Sequence, residues 1–220
     1  MPNSIKEQIC EIGRRIYSNG FVAANDGNIS IRASDNEFFT TPTGVSKGYM
    51  SPDMIIKVDR EGHVLEGDLK PSSELKMHLR VYSERLDVNA VVHAHPPTAT
   101  GFAIARIPLD KLTMPEAVIF LGAVPIVPYG TPSSDEIPEA LSPFLQRYDS
   151  FLLENHGALT VGADLLSAYF KMETMEHFAK ASLVARQLGG EKDLTEAQVK
   201  KLLDVRRAFN VTGKHPLIDV

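Results

Sequence analysis

Two histidines separated by one residue are the feature of this sequence that most directly suggests metal chemistry. His93 and His95 follow two valines, and residues two apart in a β-strand lie on the same face. Both imidazoles can then reach one metal ion at about 2.0–2.1 Å. Alone, this pair is also explained by polar strand residues that happen to alternate, so a metal role requires further ligands.

A third histidine follows an apolar segment later in the chain. His156 comes after the apolar run that starts at Phe151 and directly before Gly157, which predicts that it lies at the mouth of a strand. Alone, it is more simply explained as a turn residue bonded to the backbone. Three histidine ligands would leave one coordination position open, which is typical of catalytic rather than structural metal sites.

A carboxylate and two hydroxyls are predicted at the start of a helix. Glu74 falls in the first helical turn, where any acidic residue complements the helix dipole, and Ser72 and Ser73 suit the N-cap. Two hydroxyls and the free amides of a helix N-terminus can together hold a phosphate. Turns at Gly27-Asn28 and at residues 41–44 can present further backbone amides.

The sequence patterns of the helices and strands that position these residues predict a protein of the α/β class (α+β type). We expect one domain over residues 1–220, a three-layer αβα sandwich around a central mixed, largely antiparallel sheet. The apolar stretch 117–129 is predicted to be buried strand and turn. Strands are expected at 29–32, 38–41, 55–58, 88–93 and 151–154, and helices are expected to start near Ser4, Pro71, Pro97, Ser134, Asp164 and Thr195.

Composition narrows the classes of function. The chain has 23 Lys and Arg against 28 Asp and Glu, and no basic block longer than a pair, which argues against nucleic-acid or membrane-surface partners. The single cysteine, Cys10, excludes an intrachain disulfide and a cysteine-based zinc site. No secretory leader or membrane-length apolar run is visible. We therefore expect a cytoplasmic protein that acts on a small molecule.

Taken in order, five motifs resemble those of the class II aldolase/adducin family. They are GNIS at 27–30, TPTG at 41–44, PSSE at 71–74, HAHP at 93–96 and ENHG at 154–157. The resemblance implies zinc, with manganese or cobalt as substitutes, held by His93, His95, His156 and Glu74. It further implies that Glu74 is the catalytic acid/base and that the substrate phosphate is bound by Asn28, Thr43, Gly44, Ser72 and Ser73.

The same resemblance implies a metal-dependent aldolase of the fuculose-phosphate type. Such an enzyme cleaves a ketose 1-phosphate, for example L-fuculose 1-phosphate or 5-deoxyribulose 1-phosphate, reversibly to dihydroxyacetone phosphate and an aldehyde. The metal stabilises an enediolate, so no Schiff-base lysine is needed. A homotetramer with active sites near the subunit interfaces is a further implication.

The chain departs from that type in its tyrosines. Those enzymes use a tyrosine from a neighbouring subunit after the H-x-H strand and another near the C-terminus. Here no tyrosine lies between Pro96 and Pro128, and none follows Tyr169, so the aldehyde-side acid and the sugar stay open.

Other members of the family leave alternatives open. A 4-epimerase, a dehydratase or a decarboxylase acting on a similar phosphorylated sugar are candidates, although epimerases tend to carry Asp where Glu74 stands. A non-catalytic, adducin-like interaction module is the candidate from another class. Such modules typically lose ligand histidines, whereas this chain retains all of them.

Overall fold

An eight-stranded sheet forms the centre of the protein in the computed structural model, which describes residues 4–218. Its strands are β1 (Asn28–Ser34), β2 (Glu37–Thr40), β3 (Ile56–Val58), β4 (Val64–Glu66), β5 (Ala90–Ala94), β6 (Ile126–Val127), β7 (Ser150–Leu153) and β8 (Gly157–Gly162). They are ordered β4-β3-β2-β1-β5-β8-β7-β6. Every pair is antiparallel except β6 with β7, which confirms the predicted mixed, largely antiparallel sheet.

Helices cover both faces of this sheet. They are α1 (Ile5–Ser18), α2 (Leu75–Glu84), α3 (Pro97–Ala105), α4 (Pro115–Phe120), α5 (Glu136–Leu141), α6 (Leu165–Gln187) and α7 (Glu196–Ala208). One apolar core lies between the sheet and α1, α3, α4 and α6, and the other lies between the sheet and α2 and α5. Adjacent residues of β5 serve the two cores in turn, since Val92 packs in the first and Val91 in the second. The predicted three-layer αβα arrangement is thus present.

Local capping residues determine where three helices begin. Ser4 and Glu7 form the capping box of α1, and Asp164 and Thr195 cap α6 and α7 in the same way. The isoleucine stripe of α1 faces the core, with Ile9 and Ile16 fully buried. These short-range patterns depend on residues three or four apart, so they are readable from sequence.

The N-terminus of α3, which follows the H-x-H segment, is held by a buried acid from the neighbouring helix. The carboxylate of Glu176 on α6 accepts hydrogen bonds from the backbone amides of Thr98 and Ala99 at 2.8–3.2 Å. Glu176 therefore satisfies amides that the helix cannot pair internally. This contact fixes the start of α3 only a few residues beyond His95.

The expectation for residues 117–129 was wrong, and two strands, β4 and β8, were not predicted. The apolar stretch 117–129 is not mainly strand, because its first part belongs to α4 and only Ile126–Val127 pairs in the sheet. Pro115 stands at the first helical turn, and a short apolar run does not distinguish a buried helix from a buried strand. Strand β4 was not predicted, since its three residues are all exposed and carry no buried alternation.

Within residues 4–218, every helix is too short or too polar to span a lipid bilayer.

Candidate active site

Three histidines from two separate segments come together at one edge of the sheet. His93 lies in β5, His95 one residue beyond its end, and His156 in the turn between β7 and β8. Because β5 pairs with β8, Ala94 lies opposite Ala158 and the two segments meet. One ring nitrogen from each histidine lies within 4.8 Å of the other two. The structure thus brings together the three histidines that the sequence singled out.

The backbone around His156 is adapted to this close approach. Asn155 has a φ of 55°, a left-handed conformation that asparagine tolerates better than most residues. A Cβ atom on Gly157 would come within 2.4 Å of His95 Cδ2 and within 2.7 Å of the Ala94 carbonyl oxygen. Glycine at position 157 therefore allows His95 and His156 to lie side by side.

A hydrogen bond on His93 and a carboxylate contact on His95, each at the far side of the ring, orient the two Nε2 atoms toward the cluster. His93 Nδ1 donates to the Ala158 carbonyl oxygen at 2.9 Å, and His95 Nδ1 lies 3.5 Å from the Asp26 carboxylate. The two Nε2 atoms are 3.1 Å apart, and the buried His156 Nδ1 has no hydrogen-bond partner among the described residues. Imidazole nitrogens arranged in this way are suitable ligands for a divalent transition metal such as zinc.

Glu74 faces the same cluster. Its two carboxylate oxygens lie 3.3 Å from the Nε2 atoms of His93 and His156, and Oε2 accepts a hydrogen bond from Asn28 Nδ2 at 2.9 Å. The other oxygen, Oε1, is buried without a hydrogen-bond partner in the described part of the chain. One carboxylate oxygen is therefore engaged, and the other remains available on the histidine side.

The predicted location of Glu74 in the first turn of a helix was wrong. Helix α2 starts at Leu75, and Glu74 occupies the N-cap position with a φ of −102° and a ψ of 12°. The preceding chain is held outside the helix, because the Ser72 amide donates to the Thr41 carbonyl and the Ser72 hydroxyl accepts from the Glu74 amide. Pro71 forms a β-bridge with Pro42.

The electrostatics of the cluster follow from burial and mutual proximity. Burial alone would raise the pKa of Glu74, but His93 and His156 outweigh it and lower that pKa below its ordinary value. Burial and the neighbouring His93 lower the pKa of His95 and of His156 to about 4. His95 and His156 are therefore neutral at pH 7, the form that binds metals.

A cavity of about 200 Å³ opens beside the histidines. Its walls include four of the five predicted phosphate residues together with Glu74 and two of the histidines, namely Asn28, Thr43, Ser72, Ser73, His95 and His156. Gly44 follows Thr43 with a φ of 74° but is not part of the wall. The amides of Thr43 and Ser72 donate to the carbonyls of Lys70 and Thr41, so they are not free as the sequence suggested.

One buried histidine beside the site was not among the residues singled out from sequence. His78 on α2 is 1% exposed, and its ring nitrogens lie 2.6 Å from Asn28 Oδ1 and 2.7 Å from Ser30 Oγ. Burial lowers the pKa of His78 to about 3. The available signal was spacing, since Glu74 and His78 are four residues apart and therefore share a helical face.

This fold and this histidine cluster agree with the family assignment. The chain belongs to the class II aldolase and adducin family, because the model for the Class II Aldolase and Adducin N-terminal domain matches residues 7–183. Membership in the class II aldolase family makes the protein an enzyme of the lyase type.

Proteins similar to this chain carry more than one enzyme name. An L-fuculose phosphate aldolase from Methanococcus maripaludis is 37% identical over 189 residues, which is 86% of this chain and 98% of that protein. A 3-oxo-tetronate 4-phosphate decarboxylase from Haemophilus influenzae is 36% identical and spans 90% of this chain and 95% of its own. A solved L-fuculose 1-phosphate aldolase has a TM-score of 0.86 at 26% identity, covering 94% of this chain and 98% of its own.

Proposed function

We propose that this protein is a metal-dependent aldolase that cleaves a ketose 1-phosphate to dihydroxyacetone phosphate and an aldehyde. One observation carries the proposal. The Glu74 carboxylate lies 3.3 Å from two of three clustered histidines and also lines the cavity that contains Ser72 and Ser73. A metal site, an acid/base group and hydroxyl donors for an anion are the three functions that this cleavage requires.

His93, His95 and His156 would hold the divalent cation, which we propose to be zinc with manganese or cobalt as substitutes, and Glu74 is near enough to join them. When bound, the cation supplies Lewis-acid stabilisation of negative charge on the substrate's carbonyl and hydroxyl oxygens. Glu74 Oε1, without a hydrogen-bond partner in the part of the chain that the structure describes, and the close pair of His93 and His95 Nε2 atoms support a cation at this cluster.

Glu74 is proposed to move the proton at C3 of the dihydroxyacetone phosphate half. After the C3–C4 bond breaks, C3 must gain a proton, and in the direction of condensation it must lose one. A lowered pKa keeps Glu74 ionised in the free enzyme, so it is ready to act as the base. Exclusion of water by a bound substrate raises the pKa of a carboxylate and helps it to return the proton.

The substrate phosphate is proposed to bind at the part of the cavity wall formed by Thr43, Ser72 and Ser73. Ser72 and Ser73 supply hydroxyl donors, Thr43 a third, and Gly44 a backbone amide in the adjoining turn. Asn28 Nδ2 carries two hydrogens, so it has one left for a substrate oxygen after the bond to Glu74. Hydrogen bonds to a charged phosphate are among the stronger ones in proteins.

A second candidate is the decarboxylation of a phosphorylated 3-oxo acid. The relative from Haemophilus influenzae supports it, because it bears that activity in its name and spans 90% of this chain. Decarboxylation, like aldol cleavage, breaks a carbon–carbon bond beside a carbonyl and leaves negative charge on carbon. The same metal and acid/base groups serve both reactions.

A substrate panel distinguishes the two candidates. The purified protein with zinc or manganese is incubated with L-fuculose 1-phosphate, 5-deoxyribulose 1-phosphate, 5-methylthioribulose 1-phosphate and 3-oxo-tetronate 4-phosphate. Release of dihydroxyacetone phosphate from at least one ketose is expected. Carbon dioxide from the oxo acid, without dihydroxyacetone phosphate from any ketose, would favour the decarboxylase instead.

We also propose a cytoplasmic homotetramer with active sites near its subunit interfaces. Several large apolar side chains on the helices or directly after them are exposed in one chain, among them Phe120, Phe170, Leu183, Val184 and Leu188. Light scattering after size-exclusion chromatography should give four times the mass of 24.2 kDa. A monomer at micromolar concentration would contradict this assembly.

A further inference from the structure

A row of polar side chains runs between α2 and β1, away from the cavity and into the core. Glu74, His78 and Tyr82 are spaced four residues apart, and Asn28 and Ser30 are two apart on one face of β1. Four residues of helix advance about 6 Å and two residues of strand about 6.6–6.8 Å, so the two series stay in register. The matched spacing lets each member of one series contact the other.

The row is joined by an unbroken series of hydrogen bonds. Asn28 Nδ2 donates to Glu74 Oε2 at 2.9 Å, and Asn28 Oδ1 lies 2.6 Å from His78 Nε2. On the other side of the ring, His78 Nδ1 is 2.7 Å from Ser30 Oγ, which is 2.8 Å from the Tyr82 hydroxyl. Asn28, Ser30, His78 and Tyr82 are each no more than 3% exposed, so water does not compete for these bonds.

The carboxylate at one end determines the direction of every bond in the series. An ionised Glu74 only accepts, so the amide nitrogen of Asn28 faces it and Oδ1 faces the imidazole. His78 must therefore carry its proton on Nε2, which leaves Nδ1 as an acceptor for the Ser30 hydroxyl. The Tyr82 hydroxyl then donates to Ser30 Oγ. A neutral Nε2–H histidine is the form that satisfies all of these groups.

We propose that His78 is a positioning residue for Glu74. By donating to Asn28 Oδ1, it prevents the Asn28 amide from rotating, so Nδ2 always presents its hydrogen to Glu74 Oε2. That bond leaves Oε1, which has no hydrogen-bond partner among residues 4–218, as the more basic oxygen beside the histidines. The inference rests on the proposed function, because it assumes that Glu74 moves a proton.

If His78 only holds α2 against β1, its substitution has different kinetic consequences. A structural tie affects stability and leaves turnover per folded, metal-loaded molecule unchanged. A positioning part lowers kcat, whereas KM for the phosphorylated substrate changes much less, since the Ser72, Ser73 and Thr43 hydroxyls are not part of the series. The ratio of the two kinetic constants therefore separates the alternatives.

The test compares three variants with the wild-type holoenzyme. His78→Leu keeps an apolar volume but removes the donor, and kcat is expected to fall about 10- to 100-fold with unchanged metal content. His78→Gln restores an amide donor near the Nε2 position and should retain kcat within about threefold of wild type. Val81→Ala is the matched control, since Val81 is a fully buried residue of the same helix with an apolar side chain. It should lower Tm but leave kcat unchanged.

Two kinetic outcomes would overturn the proposal. In the first, His78→Leu lowers Tm as Val81→Ala does but leaves kcat at the wild-type value. The other is a Gln variant as impaired as the Leu variant, because a donor at that position would then not matter.

A readout without turnover keeps the inference separate from the proposed function. Nitrogen-15 NMR of histidine-labelled protein reports which ring nitrogen of His78 is protonated. The Nε2–H form is expected, and an Nδ1–H form or an imidazolium at pH 7 would contradict the proposal. If the wild-type protein cleaves none of the ketose phosphates, the proposed aldolase function fails. The protonated nitrogen of the His78 ring still shows whether the hydrogen bonds between Glu74 and Tyr82 have the proposed directions.

Discussion

His93 is the most constrained of the three clustered histidines. It is fully buried in β5, and its Nδ1–H is committed to the Ala158 carbonyl, so only Nε2 can bind another group. Burial lowers its pKa, but the Glu74 carboxylate outweighs this and raises the pKa above the ordinary value. The Glu74 carboxylate thus favours the protonated form of the His93 ring.

The histidines themselves are expected to be required for metal binding. Replacing His93, His95 or His156 with alanine removes one of three ligands, and each variant should lose tight binding of the divalent ion. Elemental analysis of the purified proteins gives the metal content. His177→Ala is the control, because His177 is exposed on α6 and remote in sequence from the cluster motifs. Wild-type metal content in all three cluster variants would contradict the assignment.

The two serines before α2 are expected to act on the phosphate group of the substrate. Ser72→Ala or Ser73→Ala removes one hydrogen bond to a charged group, worth about 1.5–3 kcal/mol, and KM for a ketose 1-phosphate should rise about ten- to a hundredfold. Ser83→Ala, at the exposed end of the same helix, serves as the control. An unchanged KM, or equal use of the unphosphorylated sugar, would count against an anion site here.

At the scale of elements, the site exists because the β7–β8 turn and the end of β5 are adjacent in the sheet. The register that pairs His93 with Leu159 and Ala94 with Ala158 brings the turn residue His156 level with His95. The space between them depends on Gly157.

Substitution of Gly157 should therefore disturb metal binding through backbone and ring displacement. The new Cβ of Gly157→Ala would meet His95 Cδ2 at 2.4 Å, so His95 must move and affinity for zinc should fall at least about tenfold. Gly101→Ala is the matched control, because the added Cβ in α3 meets nothing within 4 Å and should stabilise the helix by about 0.5–1 kcal/mol. Isothermal titration with zinc measures the difference. Equal affinities for wild type and Gly157→Ala would refute this role of the glycine.

Which elements could be predicted from sequence depends on the range of the forces that define them. The caps at Ser4, Asp164 and Thr195 act over three residues and were read correctly. Residues 115–120 form a helix because of packing between the layers, and a short apolar run does not show whether it packs as helix or strand. Glu74 was displaced from the expected first turn by the contact of residues 71–72 with the 41–42 loop, a long-range pairing.

Prediction of the site had a similar limit. The spacing of His93 and His95 indicated a shared face, but the direction of His156 toward them follows from the β5–β8 register, which the sequence does not show. His78 was not singled out from sequence because its partners, Asn28 and Ser30, lie about 50 residues away on β1. Family motifs compensated for the first of these limits and not for the second.

At the scale of the whole molecule, a buried charge network joins the three layers. Asp149, just before β7, accepts from Arg85 at the end of α2 and from Lys171 on α6, each at 2.7 Å. The side chains of Arg85 and Asp149 are only 1% and 5% exposed. One carboxylate thus links the helix layer on one face of the sheet with the helix layer on the other.

Loss of this carboxylate should cost far more stability than loss of a surface pair. Asp149→Ala leaves the buried Lys171 ammonium without a carboxylate partner and leaves Arg85 with Asp87 alone, so the free energy of unfolding is expected to fall by about 3–5 kcal/mol. Asp204→Ala removes the exposed pair with Arg207 and should change it by no more than about 1 kcal/mol. Urea denaturation of both variants provides the comparison. Equal losses would show that the network does not hold the layers together.

The central claim is that Glu74 moves the C3 proton at a metal site, and hydrogen exchange in dihydroxyacetone phosphate tests it most directly. NMR in deuterium oxide, without any aldehyde, follows the replacement of a C3 hydrogen by deuterium and so bypasses the unassigned aldehyde-side acid. Wild-type holoenzyme should catalyse the exchange, and Glu74→Gln with its metal still bound should slow it by about 10²–10⁴. Exchange at the wild-type rate in a metal-loaded Glu74→Gln enzyme would contradict the claim.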